Sequence, residues 1–253
     1  MKSKSTQERR NEIAQKLLAD GNINSADLAE AYGVSTETIR KDLIYLEKTG
    51  IAKKGYGGAV VAAELVEMNF AKKAVENQQQ KNQIARKAAS LVPESCTILL
   101  DSGSTVFALA QQLTLKKNIT VFTNSLKGGQ LLIDAGIKTY LLGGEIRFSS
   151  NALVGGWGLQ ALKELRVDMA FMGSSGFKGR SGPCIENFPE YEMKKAMIQS
   201  AGKRIILADS SKAHKSAMLE FGAWDEFDCL VSDEGLSGET RREIGQFTEI
   251  LIG

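Results

Sequence analysis

Residues 33–58 read GVSTETIRKDLIYLEKTGIAKKGYGG, and this stretch decides how the N-terminal part of the chain folds. Gly33 supplies a turn and Ser35 caps the helix that follows. Ile39, Leu43 and Leu46 recur at the spacing of one buried helical stripe. Glu37, Arg40, Lys41, Ile44 and Lys48 lie off that stripe, and Gly50 stops the helix. Residues 51–61 contain Gly55, Gly57 and Gly58 and read as a short two-stranded wing. A turn, a short helix with adjacent basic residues and a basic glycine-ended ribbon suit a helix that enters the DNA major groove beside a wing on the backbone.

The upstream residues fit the same unit. Ile13, Ala14, Leu17 and Leu18 share one face of a helix over residues 6–19, which Gly21-Asn22 ends. Asn24 or Ser25 caps a second helix holding Leu28, Ala29 and Tyr32. Together these elements predict a winged helix-turn-helix domain over residues 1–61. Its candidate phosphate contacts are Arg40, Lys41, Lys53 and Lys54. Ser35, Thr36, Thr38 and Tyr56 offer polar side chains to backbone or bases, with Gly57 in the wing. Arg40-Lys41 alone also fits a solvated charged face, with Glu37 and Lys41 an i,i+4 pair. The turn before it and the wing after it favour DNA.

The 253 residues are enough for a small domain plus a mid-sized one with a full core. The formal net charge is only +2, so any DNA contact comes from locally placed charge. No apolar run is long enough to span a bilayer, and the basic N-terminus lacks the apolar segment of a signal peptide. Cys96, Cys184 and Cys229 are far apart and odd in number, and with the single His214 they offer no zinc spacing. The expectation is a cytoplasmic protein with reduced thiols, no metal and no cofactor.

Residues 62–82, AAELVEMNFAKKAVENQQQKN, are polar and proline-free. They read as a connector between domains, or equally as a surface helix of the second. From residue 84 short apolar runs alternate with helical patterns, which predicts a parallel, doubly covered sheet over 83–253. The runs end in small, hydroxyl or amide residues. Asp101-Ser102-Gly103-Ser104-Thr105 follows one run, and Thr123-Asn124-Ser125 another. Gly143-Gly144-Glu145, Gly173-Ser174-Ser175-Gly176 and Asp209-Ser210-Ser211-Lys212 follow three more. In open α/β sheets, ligands bind outside the carboxyl ends of the strands.

The segment 101–105 also opens a helix, and free backbone N–H groups, a glycine and two hydroxyls make a phosphate cup. Lys212 can neutralise the phosphate, and Asn124, Gly143 and Gly144 line the same mouth. Asp101, Asp209, Glu145, Glu186 and Glu190 are carboxylates available for proton transfer, yet no spacing forces a pair, and His214 sits in a polar loop.

These residues resemble the DeoR-type bacterial repressors. VSTETIRKDLIYLEKTG followed by GYGGA is similar to that family's helix-turn-helix and wing. ILLDSGST, VFTNSL, LLGGEI, LVGGWG, DMAFMGSSGF, EYEMKKAMIQSA and ILADSSK are similar, in the same order, to its sugar-phosphate sensor domain. The resemblance implies a sensor domain of the ribose-5-phosphate isomerase fold. It also implies a homo-oligomer, dimer or tetramer, whose binding to operator DNA responds to a phosphorylated sugar or polyol.

Carried over residue by residue, the effector site comprises Asp101, Gly103, Ser104, Thr105, Thr123, Asn124, Gly143, Gly144, Asp209 and Lys212, together with Glu190 or Glu192 and Lys194. Ser104 replaces a threonine and keeps its hydroxyl. The aspartate usual within 173–177 is absent, which argues against isomerase chemistry. Lys54 and Tyr56 stand where arginine and histidine are common, and PCIENFP (183–189) departs from the family pattern. Two rivals remain. One is an isomerase or deaminase with an accessory DNA-binding domain, and the other is a scaffold with a degenerate pocket.

Overall fold

The computed structural model describes residues 6–20, 22–48, 52–55, 57–61 and 70–253. It divides the chain into two compact units, Met1–Glu67 and Met68–Gly253.

In the first unit, α1 (Thr6–Asp20), β1 (Asn22–Asn24), α2 (Ser25–Tyr32) and α3 (Thr36–Lys48) precede β2 (Ala52–Gly55) and β3 (Gly58–Val61). Ile13, Leu17, Leu28, Ile39 and Leu46 are buried at its centre. Asn24 is the cap of α2, its side-chain oxygen accepting the Ala26 N–H at 2.7 Å. Gly33 ends α2 at φ +62°, a left-handed conformation that glycine adopts without strain. Gly21, Gly50 and Tyr56 lie outside the described residues, as do the side chains of Leu18, Lys53 and Lys54.

The expected two-stranded wing is present as β2 and β3, paired antiparallel, and a third strand joins it. β1 pairs antiparallel with β3, Asn22 opposite Val60 and Asn24 opposite Gly58, giving a three-stranded sheet in the order β1-β3-β2. A strand of three residues is too short to leave an alternation in the sequence. Gly58 permits the crossing, because a Cβ there would stand 2.0 Å from the Ile23 carbonyl oxygen.

The buried stripe of α3 contains a carboxylate that no apolar pattern predicts. Asp42 is 1% exposed, and its two oxygens accept from Arg9 Nε at 2.7 Å and Arg10 Nε at 2.8 Å. A buried carboxylate requires such partners. The pairing ties α1 to α3 by charge as well as by core contacts. The alternative reading of Arg40-Lys41 paired Glu37 with Lys41; in the fold Glu37 meets Arg40 instead, a 3.6 Å exposed contact at i,i+3.

The second unit begins with α4 (Phe70–Val75) and α5 (Gln78–Ser90). There follow β4 (Thr97–Leu100), α6 (Ser104–Leu113), β5 (Thr120–Thr123), α7 (Leu126–Asp134) and β6 (Lys138–Leu141). The hairpin β7 (Glu145–Arg147) and β8 (Ala152–Val154) leads to α8 (Gly156–Glu164), β9 (Val167–Gly173), β10 (Cys184–Ile185), α9 (Phe188–Ser200) and β11 (Ala201–Leu207). A 3-10 turn over Ser210–His214, β12 (Leu219–Glu220), β13 (Cys229–Ser232), α10 (Gly238–Ile244) and β14 (Glu249–Ile252) complete it. Residues 62–82, read as a connector, thus include α4 and the start of α5. Phe70 and Lys81 of that stretch are buried within the second unit.

The main sheet has seven strands in the order β14-β13-β11-β9-β4-β5-β6, every neighbouring pair parallel. Ile98, Leu100, Phe171 and Leu207 pack on one face with Ile84 and Ala88 of α5 and Leu109 and Leu113 of α6. Leu99, Ala170, Met172 and Ile206 pack on the other with Leu162 of α8 and Met193 and Met197 of α9. Covering both faces is why these strands read as unbroken apolar runs. Successive strands run outward from β4 in one direction through β5 and β6, and from β9 in the other. The order therefore reverses between β4 and β9, which is where such sheets open a crevice.

Candidate functional site

The carboxyl ends of β4 and β9 are knotted by three residues. Asp101, just beyond β4, accepts the Gly173 N–H at 2.9 Å from the end of β9. Lys194 of α9 donates to the same Asp101 oxygen and, at 2.8 Å, to the Gly173 carbonyl. All three are buried, so the ion pair and its hydrogen bonds offset the desolvation of both charges. The knot holds the 101–105 loop beside the 173–176 loop, so that a Cβ added at Gly103 would stand 3.6 Å from the Gly173 Cα. Gly103 precedes α6 and no side chain caps that helix, so its first N–H groups face the mouth. Ser104 and Thr105 follow on the first turn.

The neighbouring strand ends add further polar groups. Thr123 is fully buried, and its hydroxyl donates to the Leu100 carbonyl at 2.8 Å. This bond joins β5 to β4. Asn124 is also fully buried. Its amide nitrogen donates to the Leu153 carbonyl at 3.2 Å, while its Oδ1 has no protein partner. Gly144 sits at φ +148° against β8, where a Cβ would meet the Val154 carbonyl oxygen at 2.1 Å, and Gly143 beside it is exposed. Glu190 is buried and pairs with Arg147 of β7 at 3.1 Å, whereas Glu192 is exposed.

At the end of β11, Asp209 is 1% exposed. Its Oδ1 accepts from the Ser211 N–H at 3.2 Å and from Asn77 Nδ2 at 3.0 Å, while its Oδ2 is buried without a partner. Lys212 follows, half-buried. Burial pushes its amine below the usual lysine range; Asp209 and Glu186 oppose the shift, and Lys215 and Lys73 add to it.

Sequence reasoning missed Lys81 here, and named Glu186 only as a carboxylate available for proton transfer. Lys81 of α5 is buried, and burial pushes its amine from the usual 10.5 to about 8, with Lys212 and Lys215 adding and Asp209 and Glu76 opposing. Lys81, Ile84, Ala85 and Ala88 form one helical stripe, so a lysine at the head of an apolar stripe was the available signal. Glu186, from the unusual 183–189 segment, accepts from the Ser175 hydroxyl at 2.7 Å and pairs with Lys73 at 3.2 Å. Burial alone would raise its carboxyl, but Lys73 and Ser175 outweigh that and hold it below the usual range. A carboxylate therefore does stand beside the 173–177 loop, supplied from elsewhere in the sequence and already neutralised.

The arrangement suits an anion that carries hydroxyls. Lys81 and Lys212 repel each other, and each is partly desolvated, so a bound phosphate would relieve both. Parallel strands lie about 4.8 Å apart, so the ends of β4 and β11, two strands apart, are separated by roughly 10 Å.

In the first unit, Ser35 caps α3, its hydroxyl accepting the Thr38 N–H at 3.1 Å and meeting the Thr38 hydroxyl at 2.9 Å. Thr36, Arg40 and Lys41 are exposed on the helix. A groove of about 380 Å³ runs between α3 and the strands, lined by Thr36, Arg40 and Ile44 on one side and Gly57 and Gly58 on the other. Gly57 has φ +76°. Among the described residues no helix is long and apolar enough to cross a membrane.

Two family models match the chain. The DeoR-like helix-turn-helix domain matches residues 9–64, and the DeoR C terminal sensor domain matches residues 76–234. A putative aga operon transcriptional repressor of Escherichia coli O157:H7 is 32% identical over 93% of this chain and 89% of its own length. The HTH-type transcriptional regulator GolR of Listeria innocua serovar 6a is 32% identical over 91% of each chain. The glycerol-3-phosphate regulon repressor of Escherichia coli K12 is 28% identical over 89% of this chain and 90% of its own length. Among solved structures, ribose 5-phosphate isomerase A of Methanocaldococcus jannaschii aligns at TM-score 0.42 and 20% identity, covering 54% of this chain and 55% of that one. The relatives are named as regulators rather than enzymes, and the chain belongs to the DeoR family of transcriptional regulators.

Proposed function

We propose that the protein is a repressor of a carbohydrate-utilisation operon whose grip on operator DNA is set by a phosphorylated sugar or polyol. In this reading residues 1–61 bind DNA, 62–82 join the parts and 83–253 sense the effector. The observation that carries the effector half is the pair of polar groups at neighbouring strand ends of the sheet: the uncapped start of α6 next to the β4–β9 knot, and, at the end of β11, Asp209 with a buried, unpartnered Oδ2 followed by Lys212. The phosphate sits on the N–H groups of residues 104–105 and the Lys81 and Lys212 ammoniums. Asn124, Asp209 and the Gly143-Gly144 turn meet the sugar hydroxyls, and Glu190 and Lys194 support the loops beneath. Arg40 and Lys41 meet DNA phosphates, and Thr36 reads from the start of α3. The chain acts in the cytoplasm as a homo-oligomer, because paired reading heads match repeated half-sites.

A thermal-shift screen of phosphorylated sugars and polyols, with each hit repeated in an operator gel shift, tests the whole reading. A hit raises the melting temperature and changes operator occupancy. If no phosphorylated sugar or polyol does either, the sensor assignment fails.

A further inference from the structure

α4 has six residues, too few to persist as an isolated helix. Its anchors are specific. The Phe70 ring meets Phe107 of α6 edge-on at 5.5 Å, and the Phe70 N–H donates to the Ser149 carbonyl at 2.8 Å. At the other end, the Lys81 ammonium donates to the Lys73 carbonyl and, at 2.7 Å, to the Glu76 carbonyl, capping the last turn. Lys73 pairs with Glu186, and Asn77 Nδ2 donates to Asp209 Oδ1 at 3.0 Å and to the Ser211 hydroxyl at 3.1 Å. Asn77 holds φ +50°, the bend at which α4 turns into α5. The polar anchors of this junction therefore fall on Asp209, Ser211, Glu186 and Lys81, which border or form the effector site proposed above. Asp209 Oδ2, buried and without a partner, lies on the carboxylate that Asn77 occupies.

We infer that residues 73–77 are a strap that competes with the effector for the same hydrogen-bonding groups, so that effector binding releases α4. The inference rests on the effector site of the preceding section. The competition has two parts. A phosphate dianion draws the Lys81 ammonium from two backbone carbonyls, because a charge-assisted bond to a phosphate oxygen is stronger than a bond to a neutral carbonyl. Sugar hydroxyls donate to Asp209 in place of the Asn77 amide. Without those ties, a helix of six residues loses the cap on its last turn and the Asn77 anchor that follows it. α4 opens the second unit, directly after residues 1–67 in the chain, so its release is the event passed to the DNA-binding unit.

The test uses the full chain with ribose 5-phosphate and inorganic phosphate as probes. Backbone hydrogen exchange is followed in residues 70–77 and 104–106, with probe affinity measured by calorimetry. The variants are Asn77→Gly, which removes the amide and keeps the left-handed backbone at ease, and Lys212→Ala. The expected result is slower exchange at 104–106 and faster exchange at 70–77 on adding probe. Asn77→Gly should bind ribose 5-phosphate about tenfold more tightly, the worth of one or two net hydrogen bonds removed from a competitor. If exchange at 70–77 slows or stays the same while 104–106 are protected, or if Asn77→Gly binds no more tightly, the strap is overturned and the site stands. If neither probe protects 104–106 and Lys212→Ala binds like the parent chain, the site itself is misplaced and the strap falls with it.

Discussion

Lys194 and Asp101 form a buried ion pair that joins α9 to the end of β4, with the Gly173 backbone accepting from one partner and donating to the other. The two residues stand 93 positions apart in the chain, and the pair closes the floor of the proposed effector site. Replacing Lys194 with Met leaves the Asp101 carboxylate buried with the Gly173 N–H and a long 3.5 Å contact from the Ser102 hydroxyl, and no balancing charge. The expected loss is about 3 kcal/mol of unfolding free energy, by chemical denaturation. The double variant Lys194→Met, Asp101→Asn should recover most of it, since a neutral amide still accepts from Gly173. If the double variant is as unstable as the single, the charge is not what the lysine balances.

The Asp42 clamp makes a parallel claim in the first unit. Asp42→Ala leaves the buried Arg9 without this carboxylate and Arg10 with its stacking on Tyr45, and should lower the stability of that unit by about 3 kcal/mol. Operator affinity should fall as well, because α3 loses its charged tie to α1 and keeps only the core contacts. The effector response of the second unit, read as a ligand-induced melting shift, should be retained. A variant with the parent's melting profile and operator affinity would remove Asp42 from this role.

Arg40 and Lys41 are exposed on α3, with Arg40 touching only the exposed Glu37 among the ion pairs of the described residues. Replacing both with Ala should abolish operator binding at physiological salt and leave effector binding intact. At low salt, where residual binding is measurable, the slope of log affinity against log salt should shrink by about 2, close to 0.9 for each lost phosphate contact. An unchanged gel shift would sink the DNA-facing assignment of this helix.

Lys81 predicts a pH dependence. Its amine titrates near 8 in the fold and near 10.5 when free, so the unfolded chain binds more protons between those values. Its contribution to stability therefore rises with pH across that window, relative to a Lys81→Met variant. Effector affinity should run the opposite way. A bound phosphate favours the protonated amine, so affinity falls as pH rises through about 8, with proton uptake on binding. Asp209, Glu76, Lys212 and Lys215 are the charges that bear on Lys81. Calorimetry in buffers of different ionisation enthalpy at pH 7.5 measures the uptake. Affinity that is flat from pH 7 to 9 in both the parent and Lys81→Met would exclude the amine from the site.

Lys212→Ala should weaken ribose 5-phosphate binding by about tenfold or more, the loss of one charge-assisted bond, while operator affinity without ligand stays within about twofold. A parental titration curve would relocate the phosphate.

Much of this protein was legible from periodicity. The stripe Ile39, Leu43 and Leu46 and the turn at Gly33 were enough to identify α3, because helical spacing and a left-handed glycine are local properties. The unbroken apolar runs at 97–100, 169–172 and 205–208 foretold a parallel sheet covered on both faces, and their polar ends are the groups on which the proposed effector site is built. What stayed hidden was each feature made by two distant pieces of chain. β1 acquires strand character from β3, and Asp42 is tolerable in a core because Arg9 and Arg10 reach it from another helix. Thr123 was carried over as an effector residue, and its hydroxyl's bond to the neighbouring strand was not legible in the sequence. Lys81, Asn77 and Glu186 join Asp209 and Lys212 through folding alone. Helix and strand periods are written in neighbouring residues, whereas the partner of a buried charge is set by the three-dimensional path of the chain, which no local spacing records.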